Sequence, residues 1–348
     1  MAVERASSAS AGSVGARNRS ASRNRSPGPK GARKVTVSIV GAGRLGTALA
    51  LALASHGYTI EAVVAGTLRH AKRAAALVGT HPLALASTRL EELPASDILF
   101  ITTPDDAIAA TAARLAAITY KRSSRKMKGV GKGKGSRTRV ALHASGALSS
   151  DALRSLSEAG FATGSMHPLV SVSDSIHGAE SLCSAFFCLE GSRAAIAAAR
   201  RIIRTFGAQS FSINANDKAL YHAAAVMASG HMTALFDIAV ELLTRCGLTR
   251  TRARAVLLPL LRSTLANLYT GDAARALTGT FARADTATVR RHMDALRSKG
   301  TQDALAAYTL LGERSLQLAK AAGARSDALQ EIAEALSEST KRKRGQPR

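Results

Sequence analysis

Three glycines and three polar clusters hold the chemistry that this 348-residue sequence could carry out. The glycines lie in Gly41-Ala42-Gly43-Arg44-Leu45-Gly46. Gly41 permits a tight turn, Gly43 lets the backbone approach a pyrophosphate, and Gly46 lets a helix pack close to a sheet. The free N–H groups and positive end of that helix then bind phosphate. The first polar cluster is His143-Ala144-Ser145-Gly146, where Ser145 and the Gly146 N–H can hold a carboxylate or carbonyl oxygen. The second is Met166-His167-Pro168-Leu169. The third runs from Lys218 through Tyr221 and His222 to Ser229. On a helix Lys218, His222, Ala225 and Ser229 share one face, and Lys218 and His222 are proton-transfer residue types. The intervening alanines let a ligand or a second helix come close. An ordinary packing helix, with an exposed Lys and a hydrogen-bonded core His, accounts for the same spacing. His143, His167 and His222 could converge on a metal, but their spacing fits no zinc pattern, so no metal site is expected. No G-x-S-x-G elbow or Walker A sequence is present, which leaves hydrolase and NTPase readings without support.

The elements that position these groups follow from periodicity. Residues 35–40 form a short β-branched run, read as a buried strand that leads straight into the glycines. An Ala- and Leu-rich helix over 47–56 follows, with Gly57 as its cap. A second strand over 59–64 completes a βαβ unit, and 69–78 reads as a helix. Residues 97–102 form another strand, closed by Thr103 and Pro104, and Asp105 caps a helix running to about 117. The basic stretch 120–138 reads as an inserted loop before a strand over 140–143. Strand–helix alternation continues more weakly through 161–166, 186–189 and 209–213. Beyond Asn216 the pattern is helical: 216–246 with Gly247 as its stop, then 249–269, 286–298, 301–322 and 325–337. The expected fold is α/β: an N-terminal Rossmann doubly wound parallel sheet followed by an all-α C-terminal domain. The expected divisions are a basic tail over 1–33, a Rossmann domain over 34–214, a helical substrate and dimerisation domain over 215–338, and a basic tail over 339–348.

The end of the second strand separates NAD from NADP. An acidic residue there would serve the ribose hydroxyls of NAD. The segment from Val64 to His70 has none. Arg69, helped by Thr67, is read as holding a 2′-phosphate, which favours NADP over NAD; a solvated helix start accounts for the same Arg. Thr102, Thr103 and Pro104 end a strand at the carboxyl edge of the sheet, where ligands bind, near the ribose or nicotinamide.

Charge narrows the partners. The net charge is +24, yet it is concentrated. Residues 1–34 carry eight Lys or Arg against one acid, 120–139 carry nine against none, and 341–348 carry five against none. The remainder is close to neutral. Two readings stand for the basic stretches: solvated tails and a loop, or a weak, salt-sensitive contact with nucleic acid or an anionic surface. Tyr120 is their one aromatic, so base-stacking recognition is not expected. Cys183, Cys188 and Cys246 show no C-x-x-C spacing, which suits a reducing compartment and core roles. No apolar run reaches the ~18 residues of a membrane span, so no membrane partner is expected. The N-terminus lacks an apolar h-region, and a cytoplasmic protein is the expectation. Its Arg- and Ser-rich, acid-poor composition also describes an organelle transit peptide, should the source be eukaryotic.

Taken together, five ordered motifs resemble one family. They are Gly41 to Gly46, His143 to Gly146, His167 to Leu169, Tyr221 to Val226, and Ala276 to Gly279 continuing through Arg283, Asp285, Val289 and His292. The family comprises Rossmann-like proteins with a helical C-terminal domain of unknown function, DUF2520, described as candidate NADP-dependent oxidoreductases. They are similar to pyrroline-carboxylate reductase and to the hydroxyisobutyrate and 6-phosphogluconate dehydrogenases. The resemblance covers about residues 34–322. It implies a long helix beneath the nicotinamide, a homodimer formed through the helical domain, and a substrate cleft between the domains. Ser145, His167, Lys218, His222 and Asn267 would line that cleft, with Ser145 also near the cofactor. Two departures bear on activity: Gly230 follows Ser229 where the family has Asn, and Thr280 and Ala284 replace the Pro and Gly of later motifs. The resulting expectation is an NADP(H)-dependent oxidoreductase acting on a small carbonyl, imine or hydroxy-acid substrate that carries a carboxylate. The alternative is a non-catalytic NADP-binding or sensor protein.

Overall fold

The computed structural model describes residues 33–126 and 138–344. Of the expected tails over 1–33 and 339–348 and the loop over 120–138, residues 1–32, 345–348 and 127–137 lie outside them, whereas 339–344 continue the last helix. The first part of the chain alternates strands and helices. In order these are β1 (Thr36–Val40), α1 (Arg44–Ser55), β2 (Thr59–Ala65), α2 (Leu68–Val78), β3 (Leu83–Ala86), β4 (Ile98–Ile101), α3 (Asp105–Lys126), β5 (Val140–His143), α4 (Arg154–Glu158), β6 (Ala162–Leu169), α5 (Ser175–Leu182), β7 (Phe186–Gly191), α6 (Arg193–Phe206) and β8 (Gln209–Ser212). Helices follow: α7 (Lys218–Val226), a π turn (Met227–His231), α8 (Met232–Arg245), α9 (Arg250–Thr270), α10 (Ala273–Ala276), α11 (Thr286–Lys299), α12 (Gln302–Ala321) and α13 (Ser326–Arg344).

The strands form one sheet in the order β3-β2-β1-β4-β5-β6-β7-β8. The reversal between β1 and β4 is the switch point at which open α/β sheets bind ligands. β1 and β4 are buried at every position because helices cover both faces. One apolar core packs α1 and α6 on the sheet through Leu49, Leu53, Phe100, Phe187 and Ile202. A second, on the opposite face, joins Ile101, Ile108, Leu115 and Leu156. The helical region has its own core of Val289, Met293, Leu316, Ile332 and Leu336, supplied by α11, α12 and α13.

Four details differ from the sequence reading. β7 runs antiparallel to β6, whereas the other pairings are parallel. A parallel neighbour needs a crossover back along the sheet; here α5 packs on α1 and the chain turns straight back. The short edge strand β3 has too few residues to show a period. α3 continues to Lys126, past the expected loop start, because Lys and Arg are strong helix formers. The expected single helix over 216–246 is interrupted by the π turn around Gly230.

No uninterrupted apolar run of ~18 residues is read in the sequence. The assembled helix over 215–245 is nonetheless long and apolar enough, by length and composition, to cross a membrane, and most of it is exposed. One such helix is weak grounds for a membrane span. Its first turn is anchored in the α/β region by Lys218, which is buried against β5 and β6.

Candidate functional site

The glycine turn is stapled between two strands. Gly41 and Ala42 N–H groups both donate to the Val64 carbonyl, at 2.9 and 2.8 Å. The Thr102 hydroxyl donates to the Gly41 carbonyl at 2.8 Å. Gly41 has φ +111°, and a Cβ there would lie 2.5 Å from the Thr102 carbonyl carbon and the Thr103 nitrogen. A Cβ at Gly46 would lie 2.5 Å from the Thr102 hydroxyl. Gly43 is different, for a Cβ there meets nothing within 4 Å. Two glycines are therefore needed by packing, and the middle one keeps a cradle open. Gly43 also begins α1 without any side-chain cap, which leaves the first-turn N–H groups to a ligand.

The cradle opens into a groove of about 910 Å³ lined by Gly41, Ala42, Gly43, Arg44, Thr102, Thr103 and Pro104. Thr103 Oγ1 is buried with no hydrogen-bond partner among the described residues. An orphaned hydroxyl in a groove wall, next to an uncapped helix start, fits a bound dinucleotide. Leu45 and Gly46 stand behind the wall: Leu45 packs against the core and Gly46 against Gly41.

The groove lining differs from the residues read as phosphate contacts. Thr67 caps α2 by accepting from the His70 N–H, and neither Thr67 nor Arg69 lines the groove. His70, Arg73, Ala74 and Leu77 do. Residues 70, 73, 74 and 77 share one face of α2, and Arg69 stands at the edge of that face, one turn before Arg73. Arg114 lines the far wall from α3 and donates to the Ser87 carbonyl at 3.0 Å. The segment from Ser173 to Ile176, also missed by sequence reading, closes the groove near α1, where the Ser175 hydroxyl donates to the Arg44 carbonyl.

The three polar clusters meet beside this groove, at the same edge of the sheet. His143 is buried, with Nε2 bonded to the Ser149 carbonyl and Nδ1 accepting from the Ser145 N–H. Burial lowers its pKa to about 4. Ser145 is fully committed: its hydroxyl donates to Asp105 at 2.8 Å and accepts from the Ala147 and Leu148 N–H groups. That corrects the reading of its hydroxyl as a free substrate contact. Asp105 directly follows the groove residue Pro104, so this bond ties the two sites together.

Lys218 is also placed differently from expectation. It is 1 % exposed. Its ammonium donates to the Ser145 carbonyl at 3.1 Å and the Ser165 hydroxyl at 2.8 Å. Burial pushes its pKa down, against the opposing effects of Cys188, Glu190 and Asp105. Lys218 thus ties the start of α7 to β6 and to the turn after β5.

His167 and His222 do come together, their rings edge-on at 5.6 Å between centroids. Tyr221, which sequence reading quoted without a role, holds His167 Nδ1 at 2.6 Å. Burial raises the Tyr221 phenol, so it keeps its proton. Burial, with the nearby Lys218 and His222, lowers the His167 pKa to about 4. Which of the two donates in this bond follows from the imidazole tautomer, and Tyr221 also bonds the Cys188 thiol. His222 is half-buried, and its ring nitrogens make no hydrogen bond among the described residues. Gly146 permits this gathering, since a Cβ there would lie 2.8 Å from His167 Nε2 and collide with His222. Asn267 is not brought in: it is exposed on α9, which packs on α8 and α10. Among the described residues, no three His, Cys, Asp or Glu side chains are grouped to hold a metal ion.

Two family models match parts of the chain. Residues 36–124 match the family described as NADP oxidoreductase, coenzyme F420-dependent. Residues 185–315 match DUF2520, a domain of unknown function. Protein TM1727 from Thermotoga maritima is 21% identical, with a TM-score of 0.59 over 82% of this chain and 98% of that one. BF3122 from Bacteroides fragilis, described as a candidate NADP oxidoreductase, is 19% identical, with a TM-score of 0.58 over 86% and 98%. Both share the fold. No curated protein matches the sequence. The cofactor named for the N-terminal match is NADP. The chain thus resembles, over 36–124, the family described as NADP oxidoreductase, coenzyme F420-dependent, and, over 185–315, DUF2520.

Proposed function

We propose that this protein is an NADP(H)-dependent oxidoreductase acting on a small carbonyl, imine or hydroxy-acid substrate in the cleft beside His167 and His222. One observation carries the reading: His222, with free ring nitrogens, stands at the same sheet edge as a dinucleotide groove whose wall contains an orphaned hydroxyl. Bound NADPH supplies the hydride. The α1 N–H groups hold the pyrophosphate, and Arg44 and Arg73 bind the 2′-phosphate. In reduction His222 gives a proton to the oxygen or nitrogen of the carbon that receives the hydride; in oxidation it takes that proton back. His167, fixed by Tyr221, orients the substrate through Nε2.

A second copy of the chain covers the apolar helical face that carries Leu220, Met227, Leu260 and Tyr269, which are exposed in the single chain. The same reading makes the protein a cytoplasmic homodimer. A non-catalytic NADP-binding protein is the second reading, and it is favoured by the commitment of Lys218 and Ser145 to internal bonds.

Fluorescence titration with NADPH and NADH tests the assignment. NADPH should bind more tightly, and Arg73→Ala should weaken it about tenfold or more while Arg69→Ala changes it little, because a charged hydrogen bond is worth ~1.5–3 kcal/mol. Binding of neither nucleotide overturns both readings. Binding without turnover across carbonyls, imines, hydroxy acids and coenzyme F420 selects the second. Light scattering during gel filtration reads the oligomeric state, and a monomer removes the dimer.

A further inference from the structure

We propose that Lys218 is a positioning residue: its sealed ammonium, bonded to the Ser145 carbonyl, polarises the Ser145–Gly146 peptide so that the Gly146 N–H holds an anionic substrate oxygen. The inference rests on the proposed function and names the oxygen-bearing end of its substrate.

Backbone accounting points to Gly146. The Ala144 N–H donates to the Ile101 carbonyl, the Ser145 N–H to His143, and the Ala147 and Leu148 N–H groups to the Ser145 hydroxyl. Gly146 sits in the middle of this run and is buried, yet its N–H has no acceptor among the described residues. Buried backbone N–H groups without partners are rare, and such a group packed against two histidine rings calls for an acceptor from outside the chain. The Ser145 hydroxyl cannot serve instead, because it is already committed.

The other end of the same peptide unit explains the choice of ligand. The Ser145 carbonyl accepts from Lys218 Nζ at 3.1 Å and from Ser165 Oγ at 3.1 Å. Amide resonance couples carbonyl and N–H, so two donors at the oxygen make the Gly146 hydrogen more positive. Hydrogen bonds in such chains strengthen one another by roughly 10–30%. An ammonium in this position favours an anion, a carboxylate or a developing alkoxide, over a neutral amide. The charged or titratable groups around Lys218 are Cys188, Glu190 and Asp105; those around His167 are Lys218, His222, Asp105 and His143. Gly146 packs directly on the His167 and His222 rings, which puts a bound oxygen in their company.

Oxalate is the probe, titrated into the full-length protein with 15N-labelled backbone. Saturation should move the Gly146 amide proton downfield. Lys218→Met should weaken oxalate at least tenfold and shift the Gly146 amide upfield in the free protein, with NADPH affinity kept within twofold. Ser165→Ala, which removes the second donor, should weaken oxalate several-fold and serves if Lys218→Met does not fold. An unmoved Gly146 resonance in the parent protein overturns the proposal, as does unchanged oxalate affinity in the variants. Loss of NADPH binding in the parent, with the oxalate response intact, would fall on the proposed function and not on this site.

Discussion

The dinucleotide groove and the histidine cluster occupy the same edge of one sheet but are built in opposite ways. The groove is made chiefly of backbone: one turn, one uncapped helix start and two strand ends, with glycines wherever a side chain would intrude. The cluster is made of side chains from β5, β6 and α7, brought together across separations from 20 residues, in the Ser165 bond to Ser145, to 73, in the Lys218 bond to Ser145. The groove tolerates varied neighbours so long as its turn closes. In the cluster, each group's charge, tautomer and reach depend on the others. Its substitutions should therefore change chemistry before stability, whereas those in the groove should divide, with the glycines that packing requires changing stability and the one that keeps the cradle open changing binding.

The largest effect expected is on the cluster side. His222→Ala should lower turnover about 10²–10⁴-fold with NADPH affinity intact; equal turnover in parent and variant would remove His222 from the reaction. Next comes a contrast within the groove. Gly41→Ala places a Cβ against the 102–103 peptide at φ +111° and should cost about 1–3 kcal/mol, read as a lower melting temperature. Gly43→Ala meets nothing within 4 Å and should leave melting unchanged, yet weaken NADPH about tenfold, or ~1.4 kcal/mol. Similar melting losses for both would mean that the cradle is not the reason for Gly43.

Acid should act through the cluster. His143 and His167 have folded pKa values of about 4, below the 6.5 of the free side chain. As pH falls from about 6.5 to 4, the unfolded chain takes up protons that the folded chain refuses, so stability is full above this window and declines through it. Urea denaturation between pH 4 and 8 measures the slope, which His167→Gln should reduce. The smallest expected effect is that of Tyr221→Phe. Loss of one hydrogen bond to His167 should cost about 0.5–1.5 kcal/mol and lower turnover several-fold. If stability falls but turnover does not, the Tyr221 bond is only structural.

Legibility in the sequence followed the same division. The β1–glycine–α1 unit could be read because its residues are contiguous and each glycine has a local reason. Lys72 and Arg73 lie one turn beyond Arg69 in the sequence, but spacing alone does not say which of them lines the groove, because a shift of one residue in the start of α2 rotates its face by ~100°. The shared helical face of Lys218 and His222 was visible from spacing. Spacing carries no depth, and β5 and β6 cover Lys218 while leaving His222 half open. Tyr221 takes its role from a contact with β6 that no local pattern encodes. The antiparallel β7 was missed for a related reason: strand composition does not reveal strand direction.

The π turn at Met227–His231 gives the chain a counting property. It holds one residue more than an α-helical path would, and each residue advances a helix by ~100°. Deleting one residue there would let helix run unbroken from Lys218 to Arg245, leaving Lys218, Tyr221 and His222 in place. Everything carried beyond it, from α8 to α13, would swing about that axis by roughly a quarter-turn. The azimuth of the helical region relative to the sheet is thus held by a single surplus residue, and length variation at this point acts as a rotation of one half of the molecule against the other.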